Sequence, residues 1–188
     1  MSKAHHRPKD PAALRQQLLD SAAQIIATRG LPALTLDKVV KESGISKGGL
    51  QHHFATRQAL IDGVFETLQD QMRAEIDQEM AREPQAQGRA TRAYIRACAR
   101  LMPDHEQEMN RALMAAMMAD PYLRDQWAEF INQLPQDPGD EAISRQRLLC
   151  RLAADGMWFA ALCGYHTQAP EQRRWIVERL LELAERVK

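Results

Sequence analysis

Residues 35–57 read TLDKVVKESGISKGGLQHHFATR, and their spacing decides the fold. Thr35 is suited to cap a helix whose apolar positions Leu36, Val39 and Val40 share one face. Ser43-Gly44-Ile45 then separates it from a second short segment capped by Ser46. Two short helices joined across a three-residue turn containing glycine describe a helix-turn-helix, in which the second helix enters the major groove of DNA. The pattern therefore predicts a supporting helix over Thr35–Glu42 and a recognition helix over Lys47–His53.

The second helix is a poor one by propensity, since Gly48 and Gly49 each cost about 1 kcal/mol relative to alanine. A helix start without Cβ atoms can press its amides against a phosphate or a base edge, a reason for glycine that is independent of stability. Lys47 is long enough to reach guanine O6 and N7, Gln51 suits adenine or a phosphate, and His52 and His53 offer ring donors at the groove wall. Leu50 and Phe54, one turn apart, are expected to face inward.

Outward from this segment the signals are helical throughout. Asp10-Pro11 opens a helix with Leu14, Leu18, Ala22, Ile25 and Ile26 on one face, closed by Arg29-Gly30. Thr56 opens a long helix with Leu60, Val64, Leu68, Met72, Ile76 and Met80 at four-residue spacing up to Glu83-Pro84. At 1.5 Å per residue it would span about 38 Å. Further helices are expected at Arg89–Met102, Glu106–Ala119, Tyr122–Leu134, Glu141–Tyr165 and Pro170–Val187, with Gln136 to Asp140 the clearest loop. No alternating β-branched run is present, so the fold class is all-α with about nine helices.

Residues 35–57, with the helix before them, resemble the DNA-binding segment of TetR-family transcriptional repressors over about residues 11–62. That family's pattern is a threonine, an apolar helix, a Gly-x-Ser turn, Lys-Gly-x-Leu-Tyr-x-His-Phe and a basic residue opening the next helix. Gln51 stands in place of the tyrosine. Ala153 to Phe159 is similar to a motif in the eighth helix of several members. The resemblance implies DNA contact by Thr35, Ser46, Lys47, Gly48, Gly49, Gln51, His52 and Arg57. It also implies a homodimer whose larger C-terminal body binds a small-molecule effector; twofold pairing in turn favours a palindromic double-stranded DNA operator, from which the effector is expected to release the protein. The expected organisation is a basic tail at 1–10, the DNA-binding domain at 11–55, and a ligand-binding and dimerisation domain at 56–188.

Five methionines, Met102, Met109, Met114, Met117 and Met118, fall within 17 residues. Flexible thioethers beside aromatics suit a pocket that adapts to apolar or amphipathic ligands. The expected pocket set is Tyr94, Cys98, Met102, Met114, Met117, Met118, Trp127, Phe130, Asp155 and Trp158. Asp155, inside an apolar run, either bonds a neighbouring helix or faces a cationic effector. Leu148, Leu149 and Leu152, with Trp175, Ile176, Leu180, Leu183 and Val187, form stripes that would be exposed on a monomer and are expected to pair across a twofold axis.

Composition supports this division of labour. The 188 residues carry 25 basic and 25 acidic side chains. Yet residues 1–60 hold nine Lys/Arg against four Asp/Glu, a net of +5, and the other 128 hold 16 against 21, a net of −5. A basic end on an acidic body points to one segment meeting a polyanion. No HExxH, GxSxG or P-loop occurs, so no enzyme, cofactor or metal is expected. No apolar stretch suits a membrane span or signal peptide, which places the protein in the cytoplasm with reduced, buried cysteines. The competing readings are a non-specific architectural DNA binder and a helical adaptor without ligand response.

Overall fold

A computed structural model describes residues 10–84, 86–166 and 168–185. They form α1 (Pro11–Arg29), a 3-10 turn (Leu31–Ala33), α2 (Leu36–Ser43), α3 (Lys47–His53), α4 (Arg57–Arg82), α5 (Arg89–Ala99), α6 (Asp104–Ala119), α7 (Pro121–Gln133), α8 (Glu141–Cys163) and α9 (Pro170–Glu185). Nine α-helices and no strand among the described residues agree with the all-α expectation. Two compact units result: Met1–Thr67 with Ala112–Leu123, and Leu68–Arg111 with Arg124–Lys188.

In the first unit the expected caps close the expected helices. The Asp10 carboxylate accepts from Ala12 N at 3.0 Å, Thr35 Oγ1 from Lys38 N at 3.3 Å, Ser46 Oγ from Gly49 N at 3.2 Å and Thr56 Oγ1 from Ala59 N at 3.0 Å. Each satisfies an amide that the helix leaves free, worth about 1 kcal/mol. Gly44 ends α2 with φ +68°, the left-handed conformation that a side chain would strain. Leu18, Leu34, Val39, Leu50 and Leu60 are fully buried together with Phe54, and each such side chain contributes roughly 1.5–3 kcal/mol. Leu19 joins them, whereas Leu14 is only half-buried.

The second unit packs α5, α8 and α9 around Ile76, Tyr94, Ile95, Phe130, Cys150, Ala154, Leu180 and Ala184. Its polar ties are extensive. Asp137 accepts from Ala90 N and Thr91 N at 2.8 Å and from Thr91 Oγ1 at 2.7 Å, capping α5 across 46 residues of chain. Glu83 pairs with Arg92 at 3.0 Å, and both are almost wholly buried.

Several boundaries shift from the sequence expectation. α5 ends at Ala99 rather than Met102: Arg100 leaves the helical region with ψ 130°, and its guanidinium bridges Glu75 at 2.7 Å and Glu106 at 3.3 Å. α6 consequently starts earlier, at Asp104. The 3-10 turn has no counterpart in the periodic pattern, which is too coarse for a three-residue element. Cys98 and Cys150 are buried, but Cys163, at the end of α8, is exposed, and all three are free.

Candidate functional site

The α2–turn–α3 segment presents the N-terminal half of α3 to solvent. Lys47, Gly48, Gln51 and His52 are exposed, while Leu50 and Phe54 are buried as their spacing predicted. Thr35 and Ser46 are the caps of the two helices, so their hydroxyls also order the reading head. Lys47 Nζ lies 3.2 Å from Asp37 Oδ1, an open pair in which both side chains are mostly exposed. Such a pair contributes little and leaves the ammonium ready to exchange partners.

The two glycines have different reasons. A Cβ on Gly49 would meet Ile45 Cγ2 at 3.0 Å and Ser46 Oγ at 3.3 Å, so packing within the turn favours glycine there. A Cβ on Gly48 would meet nothing within 4 Å. Nothing inside the described chain demands that second glycine, and the stability it forgoes needs an external cause.

Arg57 has an internal role that its sequence position did not show. Its Nε donates to Leu34 O and its Nη2 to Leu31 O, both at 2.7 Å, so the guanidinium closes the 3-10 turn onto the start of α4.

The expected effector residues divide between the units. Met114 and Met117 are buried within the first unit's Ala112–Leu123 segment, where Met118 is exposed. The second unit brings Tyr94, Cys98 and Phe130 together in its core, with Trp127 and Trp158 packed against them. Met102 is half-buried, and its sulfur accepts from Asn110 Nδ2 at 3.0 Å. Asp155 is half-buried on α8 and accepts from the Tyr94 hydroxyl at 2.5 Å. Burial pushes the Asp155 carboxyl up, with the Tyr94 hydrogen bond and the Arg151 charge opposing. Burial also raises the Tyr94 hydroxyl strongly and the Cys98 thiol to about 12, so both remain protonated. Arg151 is not among the sequence-derived residues, yet its guanidinium stands 5.0 Å over the Tyr94 ring. Its spacing of four from Asp155 on one helix was the available signal.

The expected pairing stripes separate as well. Leu148, Leu149 and Leu152 on α8, and Trp175 on α9, are all more than half exposed. Leu180, by contrast, is buried inside the subunit, and Ile176 and Leu183 pack against the same core. The α9 stripe is needed to close the α5–α8–α9 core, so only its Trp175 edge remains outside. Val187 lies outside the described residues. Gly156, midway along α8, is exposed, and a Cβ there would meet nothing within 4 Å.

Residues 18–64 match the family model described as bacterial regulatory proteins, tetR family, and residues 88–185 match the one described as tetracyclin repressor-like, C-terminal domain. The chain belongs to the tetR family. It is 36% identical over 63 residues to the HTH-type transcriptional repressor KstR2 of Mycolicibacterium smegmatis, a match covering 34% of this chain and 31% of that protein. With the HTH-type transcriptional regulator BetI of Cronobacter sakazakii it shares 27% identity over 141 residues, 75% of this chain and 64% of the relative. The match thus spans about a third of the length of KstR2. Among solved structures, the multidrug binding protein EbrR complexed with malachite green has a TM-score of 0.65 at 20% identity, covering 90% of this chain and 96% of that one. At that identity the likeness concerns the fold.

Proposed function

We propose that this tetR-family chain is a homodimeric, sequence-specific transcriptional repressor that binds a palindromic DNA operator and is released by a small apolar or amphipathic effector. The observation that carries the reading is Gly48: an exposed helix start that forgoes stability with no internal reason, flanked by Lys47, Gln51 and His52. Thr35, Ser46, Gly49 and Arg57 complete the proposed DNA contacts, directly or by holding the head. The proposed domain division remains a DNA-binding domain at 11–55 and a ligand-binding and dimerisation domain at 56–188.

The α8 face of Leu148, Leu149 and Leu152, with Trp175, supports the dimer, and Gly156 suits a close crossing of two α8 helices. The aromatic core of the second unit around Tyr94 supports an effector site, and EbrR's malachite green complex supports ligand binding within this fold. α4 and α6 each contribute residues to both compact units. An effector can therefore bias DNA binding through them, to the extent that it binds one state more tightly than the other. No described helix is long and apolar enough to cross a membrane, and a regulator of chromosomal DNA works in the cytoplasm. No enzymatic step or cofactor forms part of this reading.

Selection of bound duplex from a random DNA pool at fixed salt tests it. Recovery of one palindrome is expected; recovery of unselected sequence, with binding that only fades as salt rises, would replace it with the architectural binder.

A further inference from the structure

Arg151 and Asp155 sit one turn apart on α8 and flank the same tyrosine from α5. The Arg151 guanidinium covers the Tyr94 ring at 5.0 Å, and the Tyr94 hydroxyl holds Asp155 Oδ1 at 2.5 Å. Arg151 is more than nine-tenths buried; its Nη2 donates to Pro135 O, whereas its Nε is buried with no hydrogen-bond partner among the described residues. A buried guanidinium N–H without an acceptor is costly, which marks it as a donor awaiting a partner. Asp155 is half-exposed and offers the complementary acceptor, since Tyr94 engages only one of its oxygens. Half-buried Trp158, one turn further along α8, supplies apolar surface next to it, and Trp127 packs on the same core that holds Tyr94.

The charges settle the ligand class. A cation drawn to Asp155 would also meet the permanent charge of Arg151, and an anion drawn to Arg151 would meet the Asp155 carboxylate, whereas the nearby Asp137 carboxylate is already taken up by the Ala90 and Thr91 amides and the Thr91 hydroxyl. A formally neutral pair of one donor and one acceptor favours a head that accepts and donates at once.

We propose that the Arg151–Tyr94–Asp155 cluster binds an uncharged amphipathic effector through an amide or hydroxyl head that accepts from Arg151 Nε and donates to Asp155, with its apolar body against Trp127 and Trp158. The proposal rests on the ligand-responsive reading above and adds the effector's class.

Three probes with one apolar body and different heads test it by calorimetric titration of the full chain: naphthalene-2-carboxamide, naphthalene-2-carboxylate and 2-naphthylmethylammonium. The wild type is expected to bind the carboxamide about tenfold or more tightly than either charged probe. Asp155→Asn leaves Arg151 uncompensated and should strengthen carboxylate binding about tenfold; Arg151→Met should do the same for the ammonium probe. A gain of affinity cannot come from a variant that fails to fold. The proposal is overturned if a charged probe binds the wild type as well as the carboxamide does. A probe order unchanged in both variants, or no probe binding at all, overturns it too. A palindrome recovered from the DNA pool alongside a failed probe order removes this site assignment alone. A correct probe order without selected DNA removes the repressor reading and keeps the site.

Discussion

Alanine at position 48 separates stability from DNA binding. The added Cβ meets nothing within 4 Å, so the change carries no internal steric cost. Replacing glycine inside the seven-residue α3 should then stabilise the chain by roughly 0.5–1 kcal/mol, raising the thermal midpoint by about 1–4 °C for a protein of this size. If the α3 backbone reaches a phosphate or base edge, the same methyl group must push that surface away. Losing one such contact costs about 1–3 kcal/mol, roughly a 5- to 150-fold weaker operator for each half-site. Thermal unfolding and fluorescence anisotropy on the selected duplex, both at one salt concentration, read the two effects in one sample. Gly49→Ala is the control for the stability half alone, because contact with Ile45 and the Ser46 cap offsets its helix-propensity gain. A more stable Gly48→Ala protein that binds DNA as the wild type does would refute the close approach, and with it the observation on which the DNA reading chiefly rests.

Other perturbations test other parts. Lys47→Ala should leave the unfolding free energy within about 0.5 kcal/mol of the wild type, since its Asp37 pair is exposed, yet weaken operator binding in salt titrations. Arg57→Ala should instead lower stability by about 1–2 kcal/mol in denaturant unfolding, because both hydrogen bonds to the 3-10 turn are lost. Leu152→Glu places a charge on the exposed α8 face and should give monomers in sedimentation experiments, whereas an unchanged mass would move the dimer contact elsewhere. For Asp155 the folded carboxyl lies above its ordinary value, so the folded state holds the proton more tightly than the unfolded one. Its contribution to stability is therefore greatest at low pH and falls as pH rises through the folded value. Asp155→Asn should gain relative to the wild type at neutral pH, and thermal unfolding from about pH 8 down to about pH 4 should show that difference shrinking.

The reading head was legible in the sequence because its signals are local. Thr35, Gly44 and Ser46 act within four residues of themselves, and caps and turns of that kind do not depend on distant chain. The nine helices followed from period and proline in the same way. What sequence could not supply was which face of a helix the tertiary core would claim. The α8 and α9 stripes look equivalent as patterns, yet Leu180 closes a core while Leu149 is left outside. The internal anchoring of Arg57 and Arg151 was hidden as well, since the acceptors are carbonyls of Leu31, Leu34 and Pro135, and a backbone acceptor carries no residue signature; only the four-residue spacing of Arg151 from Asp155 hinted at its place. Asp137 shows the limit most sharply: composition marks residues 136–140 as a loop, and only the fold reveals that its carboxylate caps α5.

That loop has a kinetic consequence. Amides in the first turn of a helix normally exchange with solvent quickly, as they lack partners within the helix. Ala90 and Thr91 are tied to Asp137, Arg147 Nη1 donates to Pro138 O at 2.6 Å, and Asp140 caps α8 through Ile143 N at 2.9 Å. The starts of two helices thus hang on one five-residue clasp. Hydrogen exchange at Ala90, Thr91 and Ile143 should be slow and should share one opening free energy, so that this stretch comes apart as a single event and does not fray from its ends.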